Sequence, residues 1–311
     1  MTPDIRKLLT FLLSVGIGFL VLDFVGTKAL DKLADSLKFG REYNTRLAIK
    51  EVVPDLLFIG ASQCQGNYNS SIFEDSLGLK TFNAGMGAQH IDYQVVITNE
   101  IISRKTPQVI VWDFDPKLFA DDTGVWLKLG LNPYYGQSDA IDSLLEATDA
   151  QLPLKHFVSS YRYNSLPMEL LYYNRGKQDN QKGHSPFPCR KMKEMVVVDE
   201  YSYKLPGADL ERKKTLMTTA LKEWTRQGIE VLVIVSPLHK RIEHPIWGIG
   251  MAREICAEAQ VPFYDFTNLE GIYDNGAYFR DHIHLCRKGA KLYSSHVAQL
   301  ISSMLKADSD S

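Results

Sequence analysis

The sequence predicts an α/β fold, with a parallel sheet covered by helices on both faces and an apolar helix at the N-terminus. Three observations predict it. Short unbroken apolar runs recur, such as Leu56, Leu57, Phe58 and Ile59. A strand buried on both faces reads that way rather than as an alternation. Helical patterns separate these runs, which is the order of a parallel sheet with crossover helices. Finally, residues 8–22, LLTFLLSVGIGFLVL, carry no charge and are apolar on every face, unlike a helix with one face on a core.

The N-terminal stretch continues to Gly26 with Asp23 as its one charge, and Arg6 and Lys7 precede it. Its length fits the short end of a membrane span and also the core of a signal peptide. A buried helix of the main domain is the bland alternative. Without a convincing small-x-small cleavage motif, an uncleaved anchor over residues 8–26 is expected. Positive charge before it predicts a cytoplasmic N-terminus and a single pass through a bacterial inner membrane, with the rest periplasmic or extracellular. The expected organisation is an anchor at 1–27, a juxtamembrane connector at 28–50 and one globular domain at 51–311.

That domain opens with the strand DLLFIGAS at 55–62. KTFNAG at 80–85 is a second strand, and 89–104 a helix ended by Pro107. PQVIVWDFDP at 107–116 is a third strand. Residues 206–228 read as a helix, with Pro206 suited to its first turn and Gly228 to its C-terminal side. IEVLVIVSP at 229–237 is the fourth strand. A helix near 246–260 leads to a fifth, VPFYDF, and a last helix covers about 288–305. Residues 117–205 interrupt the rhythm. Rich in Tyr, Asn, Pro and Lys, they read as an insertion beside the site.

With 311 residues the chain is long enough for one large domain or two small ones. A net charge of -2 without a basic run argues against nucleic acid as a partner. Cys64, Cys189, Cys256 and Cys286 form no C-x-x-C pair, which argues against a zinc ribbon. Cys64 and Cys286 lie two residues beyond Ser62 and His284. If those two meet, the cysteines approach each other, and two buried free thiols are expected there rather than a disulfide.

In a parallel α/β sheet, function collects at the carboxyl ends of the strands. Ser62 follows the first strand. The second is followed by NAGMGAQ, with Gly85, Gly87 and Ala88. Asp113 and Asp115 end the third, and Ser236 and His239 follow the fourth. DHIH, with Asp281, His282 and His284, lies just before the last helix. Several chemistries are open. A serine hydroxyl becomes a nucleophile when a base removes its proton, and an Asp/His pair supplies base and orienter. His282 and His284 could instead hold a metal with His239 and His244, although that spacing matches no common zinc pattern. Asp113 and Asp115 could suggest a glycosidase, but two positions on one strand are no evidence for its carboxylate pair. Capping and solvation are the bland reading of all three DHIH side chains, and His239 is as easily a surface residue as a substrate contact. The convergence of a serine, a glycine loop and an Asp/His pair on one sheet edge favours nucleophilic catalysis. Backbone N–H groups of Ser62 and the glycine loop would hold the oxyanion.

Here the chain resembles the SGNH/GDSL hydrolase superfamily, through FIGAS around Ser62, FNAGMG at 82–87 and D-x-x-H at 281–284, in that order. The resemblance covers most of 55–116 and 229–305. It implies a three-layer α/β/α fold of SGNH or flavodoxin type, a serine esterase or acyltransferase mechanism, and no metal or cofactor. Ser62, His284 and Asp281 would be catalytic, and the backbone of Ser62 and the loop containing Gly85, Gly87 and Ala88 would form the oxyanion hole. The anchor and insertion resemble bacterial envelope members, including those that work with membrane-bound O-acyltransferases on cell-surface polysaccharide. The implied substrate is an acylated, commonly O-acetylated, carbohydrate or another small ester. Two positions depart from the pattern. Ala61 replaces the Asp of G-D-S, and Asp115 stands where the family supplies an asparagine donor. A carboxylate donates only when protonated, so Asn132 and Asn164 of the insertion are candidate replacements. A catalytically weak accessory subunit that binds polysaccharide or an acyltransferase is the alternative function.

Overall fold

The structure, a computed structural model, describes residues 2–119, 130–164, 166–176, 182–190, 192, 195–198, 207–242 and 246–309. Pro206 and His244 lie outside the described residues.

Five strands form the main sheet: β1 (Leu56–Gly60), β2 (Thr81–Asn83), β3 (Val109–Asp113), β4 (Glu230–Val235) and β5 (Phe263–Asp265). All pair in parallel, in the order β2-β1-β3-β4-β5. In this flavodoxin-like order the winding reverses between β1 and β3. Loops leaving their carboxyl ends therefore diverge and open a crevice, and Ser62 leaves β1 at that point.

Every residue of β1 and β3 is buried, as their unbroken apolar runs predict. Alternate side chains face opposite layers. On one face Phe58, Val111 and Ile234 pack with Cys64, Tyr68, Phe73, Tyr293, Val297 and Ile301, which come from helices 62–67, 70–77 and 287–309 and the loop after the first. On the other face Trp112 meets Trp224 of helix Leu210–Arg226, with ring centroids 5.4 Å apart. The Trp112 indole N–H donates to Gln94 Oε1 at 2.7 Å, which satisfies the polar edge of a fully buried ring. The result is helix, sheet, helix.

The expected helices are found, three with trimmed ends, Ile91–Ile102, Leu210–Arg226 and Trp247–Ala259, and the last extended to Arg287–Ser309. Periodicity reveals neither Ser62–Asn67 nor Ser70–Leu77, because six and eight residues span about two turns, too few for an apolar face to repeat. A two-stranded parallel ladder, Val196–Val198 with Lys240–Ile242, was also not legible as strands.

The chain forms two compact units. The one just described holds Asn44–Trp126 and Asp179–Ser311; the other holds Met1–Tyr43 and Leu127–Gln178. The insertion is thus divided between them. In the second unit one helix runs without a break from Pro3 to Asp35, past the expected end of the anchor at residue 27. It is long and apolar enough to cross a membrane, with no residue of its apolar window buried. Asp23 accepts backbone N–H bonds from Ser159 and Ser160 at 2.8 and 3.0 Å. Two turns on, Asp31 accepts from Arg162 and from the Tyr163 hydroxyl at 2.6 and 2.7 Å. Leu37, Tyr163, Leu166 and Leu170 make the small core of this unit.

Candidate active site

β1 ends at Gly60, whose φ is +153°. A Cβ there would stand 2.7 Å from the Asp113 carbonyl oxygen and 2.7 Å from Cys64 Cβ. Only glycine fits this approach of two strand ends. The chain then turns and Ser62 begins the helix Ser62–Asn67. At that first position its N–H has no intrahelical acceptor.

Ser62 Oγ lies 2.7 Å from His284 Nε2, across 222 residues of sequence. His284 Nδ1 lies 2.9 Å from both Asp281 carboxylate oxygens. Asp281 Oδ1 also accepts the N–H groups of Ile283 and His284, each at 3.0 Å. Burial pushes the Asp281 carboxyl up, but the His284 hydrogen bond and the Ile283 N–H outweigh it, and the group is held below the usual carboxylate range. An ionised carboxylate only accepts hydrogen bonds. His284 Nδ1 must then carry the proton, which leaves the Nε2 lone pair facing the Ser62 hydroxyl. The His284 side chain is 16% exposed and that of Asp281 41%, so solvent reaches the pair from the aspartate side.

Two side chains of the Ser62 helix fasten it to the histidine loop. Gln63 Nε2 donates to the Ile283 carbonyl at 3.0 Å, and Asn67 Oδ1 accepts the Leu285 N–H at 3.2 Å. Positions i and i+4 share a helix face, so these two residues hold the backbone on either side of His284. Sequence reading missed both.

The glycine loop differs from the expected arrangement. The Gly85 N–H donates to Asn83 Oδ1 at 2.9 Å and the Gly87 N–H to Gln65 Oε1 at 3.0 Å. Neither is free to receive an oxyanion in this conformation. Asn83 is fully buried, and its amide nitrogen donates to the carbonyls of Cys64 and Tyr68 at 2.7 and 2.9 Å. It orders the loop and the Ser62 helix together. Gly87 still flanks Ser62, since a Cβ there would be 3.7 Å from Ser62 Cβ. Ala88, exposed and left-handed at φ +62°, follows it.

Asp115 accepts the Lys117 N–H at 2.9 Å in a local turn. Asp113 is buried and accepts from Ser236 Oγ at 2.6 Å and from the Tyr68 hydroxyl at 2.9 Å. Burial pushes its carboxyl up to about 7. Burial first, and then Lys117, hold the Lys240 ammonium below its ordinary value against the opposing pull of Asp115 and Asp281. His239 is 4% exposed, stacks on Phe279 at 5.1 Å and places Nδ1 2.8 Å from the Tyr273 carbonyl oxygen. His282 Nδ1 lies 3.3 Å from the His239 carbonyl oxygen. Asn132 and Asn164 belong to the other unit, where both amide protons of Asn132 are taken by the Tyr161 and Arg162 carbonyls. Among the described residues no group of three or more His, Cys, Asp or Glu side chains is placed to hold a metal ion.

The cysteine expectation is corrected. Cys286 forms a disulfide with Cys189 of the insertion, and Cys64 and Cys256 are free and buried. The Cys64 thiol points instead at Asn83 Oδ1, 3.4 Å away under the Ser62 helix.

No protein-family model matches the chain, and no curated protein matches it. Solved structures similar to it include a "putative acylhydrolase" from Bacteroides fragilis NCTC 9343, at 15% identity and a TM-score of 0.42, over 85% of this chain and 96% of that one. Another is the acetyl xylan esterase AlAXEase, at 14% identity and a TM-score of 0.40, over 80% of this chain and 98% of that one.

Proposed function

We propose that the chain is a membrane-anchored SGNH-type serine hydrolase acting on an ester, with Ser62 as nucleophile, His284 as base and Asp281 as its orienter. The observation that carries this reading is the unbroken relay from Ser62 Oγ through His284 to Asp281, at 2.7 and 2.9 Å. His284 Nε2 takes the hydroxyl proton as Ser62 Oγ attacks the ester carbonyl carbon. The Ser62 N–H receives the oxyanion. Collapse breaks the bond to the alkoxy oxygen, which leaves with the proton from Nε2. Water, or a sugar hydroxyl, then gives its proton to Nε2 and attacks the acyl carbon; the acyl–Oγ bond breaks, Nε2 returns the proton to Ser62 Oγ, and an acid or a new ester leaves. The ester belongs to a small or carbohydrate-borne acyl group, commonly O-acetyl.

The helix 3–35 anchors the protein in the bacterial inner membrane with its N-terminus in the cytoplasm, and a membrane-bound O-acyltransferase is the partner this placement suits. The Cys189–Cys286 disulfide supports a catalytic domain outside the cytosol, because such bonds persist in oxidising compartments.

A second reading, a catalytically weak accessory subunit, is favoured by the occupied N–H groups of Gly85 and Gly87. One experiment separates the two. The full chain, in detergent, is treated with a fluorophosphonate probe and assayed on p-nitrophenyl acetate beside Ser62→Ala and His284→Ala. Labelling and turnover lost in both variants are expected; a folded wild-type protein that neither labels nor turns over would leave the accessory reading standing.

A further inference from the structure

The insertion returns to the main unit as a strap fastened at residues 182 to 185, at 187 and at 189. The Lys182 carbonyl accepts the Asn83 N–H at 3.0 Å, at the edge of β2. Gly183 fits against Asn83 only as glycine, since a Cβ there would collide with its carbonyl. His184 Nε2 lies 3.1 Å from the Gly66 carbonyl oxygen, and the Ser185 N–H donates to the Gln65 carbonyl at 3.0 Å. These last two contacts bind the strap to the C-terminal half of the Ser62 helix. Phe187 then lies over Gly66 so closely that a Cβ there would be 2.3 Å from the ring. Its other neighbour is the His284 imidazole, at 4.8 Å between centroids, with the Arg280 guanidinium 4.8 Å from the Phe187 ring. The Phe187 carbonyl accepts the Arg287 N–H at 2.9 Å. Two residues on, Cys189 is bonded to Cys286, itself two residues beyond His284.

The nucleophile helix and the histidine loop are thus joined by their own hydrogen bonds on one side and by the strap on the other. Ser62 and Asp281 hold the two imidazole nitrogens, but these bonds alone leave the ring some freedom to swing about χ1 and χ2. The Phe187 ring, 4.8 Å from the imidazole and tilted 60° to it, restricts that swing. We propose that the 182–189 strap positions the His284 imidazole, with Phe187 as the positioning residue and the Cys189–Cys286 disulfide as its fastening. This rests on the proposed role of His284. The disulfide makes the positioning sensitive to thiols. Cys189 is exposed while Cys286 is buried, so a dithiol reaches the bond from the strap side. Dithiothreitol gives two electrons and two protons, two cysteine thiols form, and the reagent closes to its cyclic disulfide.

The test uses the full chain in detergent with 15N-histidine, its His284 signals assigned by loss in His284→Ala. In the wild type His284 is a single Nδ1-protonated tautomer. In Phe187→Ala, in Cys189→Ser and after dithiothreitol, an averaged mixture of tautomers is expected. Turnover of p-nitrophenyl acetate should fall about 10- to 100-fold in kcat, with KM changed less than about twofold. Phe187→Tyr should restore both readings. A Phe187→Ala protein that keeps the wild-type tautomer and kcat overturns the proposal, as does a reduced protein that keeps both. If the wild type neither labels with fluorophosphonate nor turns over ester, the functional reading fails by itself, and the tautomer spectrum still decides whether the strap positions the imidazole.

Discussion

Gln63, the neighbour of Ser62 in sequence, donates its side-chain amide to the carbonyl of Ile283, the neighbour of His284, at 3.0 Å. The distance between Ser62 and His284 is therefore set by residues beside them. Gln63 is 3% exposed, so removing its side chain deletes a hydrogen bond made by a buried amide and leaves space behind it. Gln63→Ala should cost about 1–3 kcal/mol of stability. It should lower kcat on p-nitrophenyl acetate by about 10- to 100-fold, because small displacements between reacting groups are expensive. Thermal denaturation and steady-state kinetics on one preparation check both.

Asp281→Asn should lower kcat on the order of 10⁴-fold, by permitting the wrong imidazole tautomer. It should also change the acid stability. The folded carboxyl lies below its usual range, so its contribution is present above the unfolded value, about 4, and is lost as pH falls through the folded value. The difference in melting temperature between wild type and variant should shrink between about pH 5 and pH 3. A difference constant over that range would contradict the ionised assignment.

Asp113 works in the opposite direction. Its folded carboxyl is raised to about 7 by burial, so the folded state holds more protons than the unfolded one between about 4 and 7. Stability contributed by the neutral form is complete below about pH 4, declines as pH rises and is gone above 7. Asp113→Asn keeps an oxygen to accept from Ser236 and Tyr68. It should flatten this decline, which is worth a few kcal/mol at most. Melting curves at pH 5 and pH 8 give the comparison.

The anchor can be tested by depth. Leu154 and Phe157 are 78% and 74% exposed and precede Ser159 and Ser160, whose N–H groups bind Asp23. That places them level with the end of the apolar helix. Nitroxide labels at Leu13→Cys and Phe157→Cys in nanodiscs should be more accessible to oxygen than to a nickel chelate, with the contrast greatest at residue 13. A label at Glu258→Cys should show the reverse.

The sheet was legible in the sequence because a strand buried on both faces must be apolar throughout, as 56–59 and 231–235 are. The long helices were legible because an apolar face repeats over several turns. Short helices escaped for want of length, as Ser62–Asn67 shows. Ser62, Asp281 and His284 could be singled out because each is a reactive type at a strand end or helix start. Gln63, Asn67, Asn83 and Phe187 could not, since their residue types are ordinary and their partners lie far along the chain.

By itself the sequence determined the order of strands and helices, the apolar N-terminal segment and the three residues of the relay, all of which depend on local composition and period. Only the tertiary structure decided which glycine N–H groups are occupied, which cysteine Cys286 meets, and that part of the insertion straps the histidine. Apart from the Gly85 N–H, which meets Asn83 two residues away, each of these depends on a partner tens to hundreds of residues along the chain, and no local pattern records which of several polar or sulfur groups arrives at that distance.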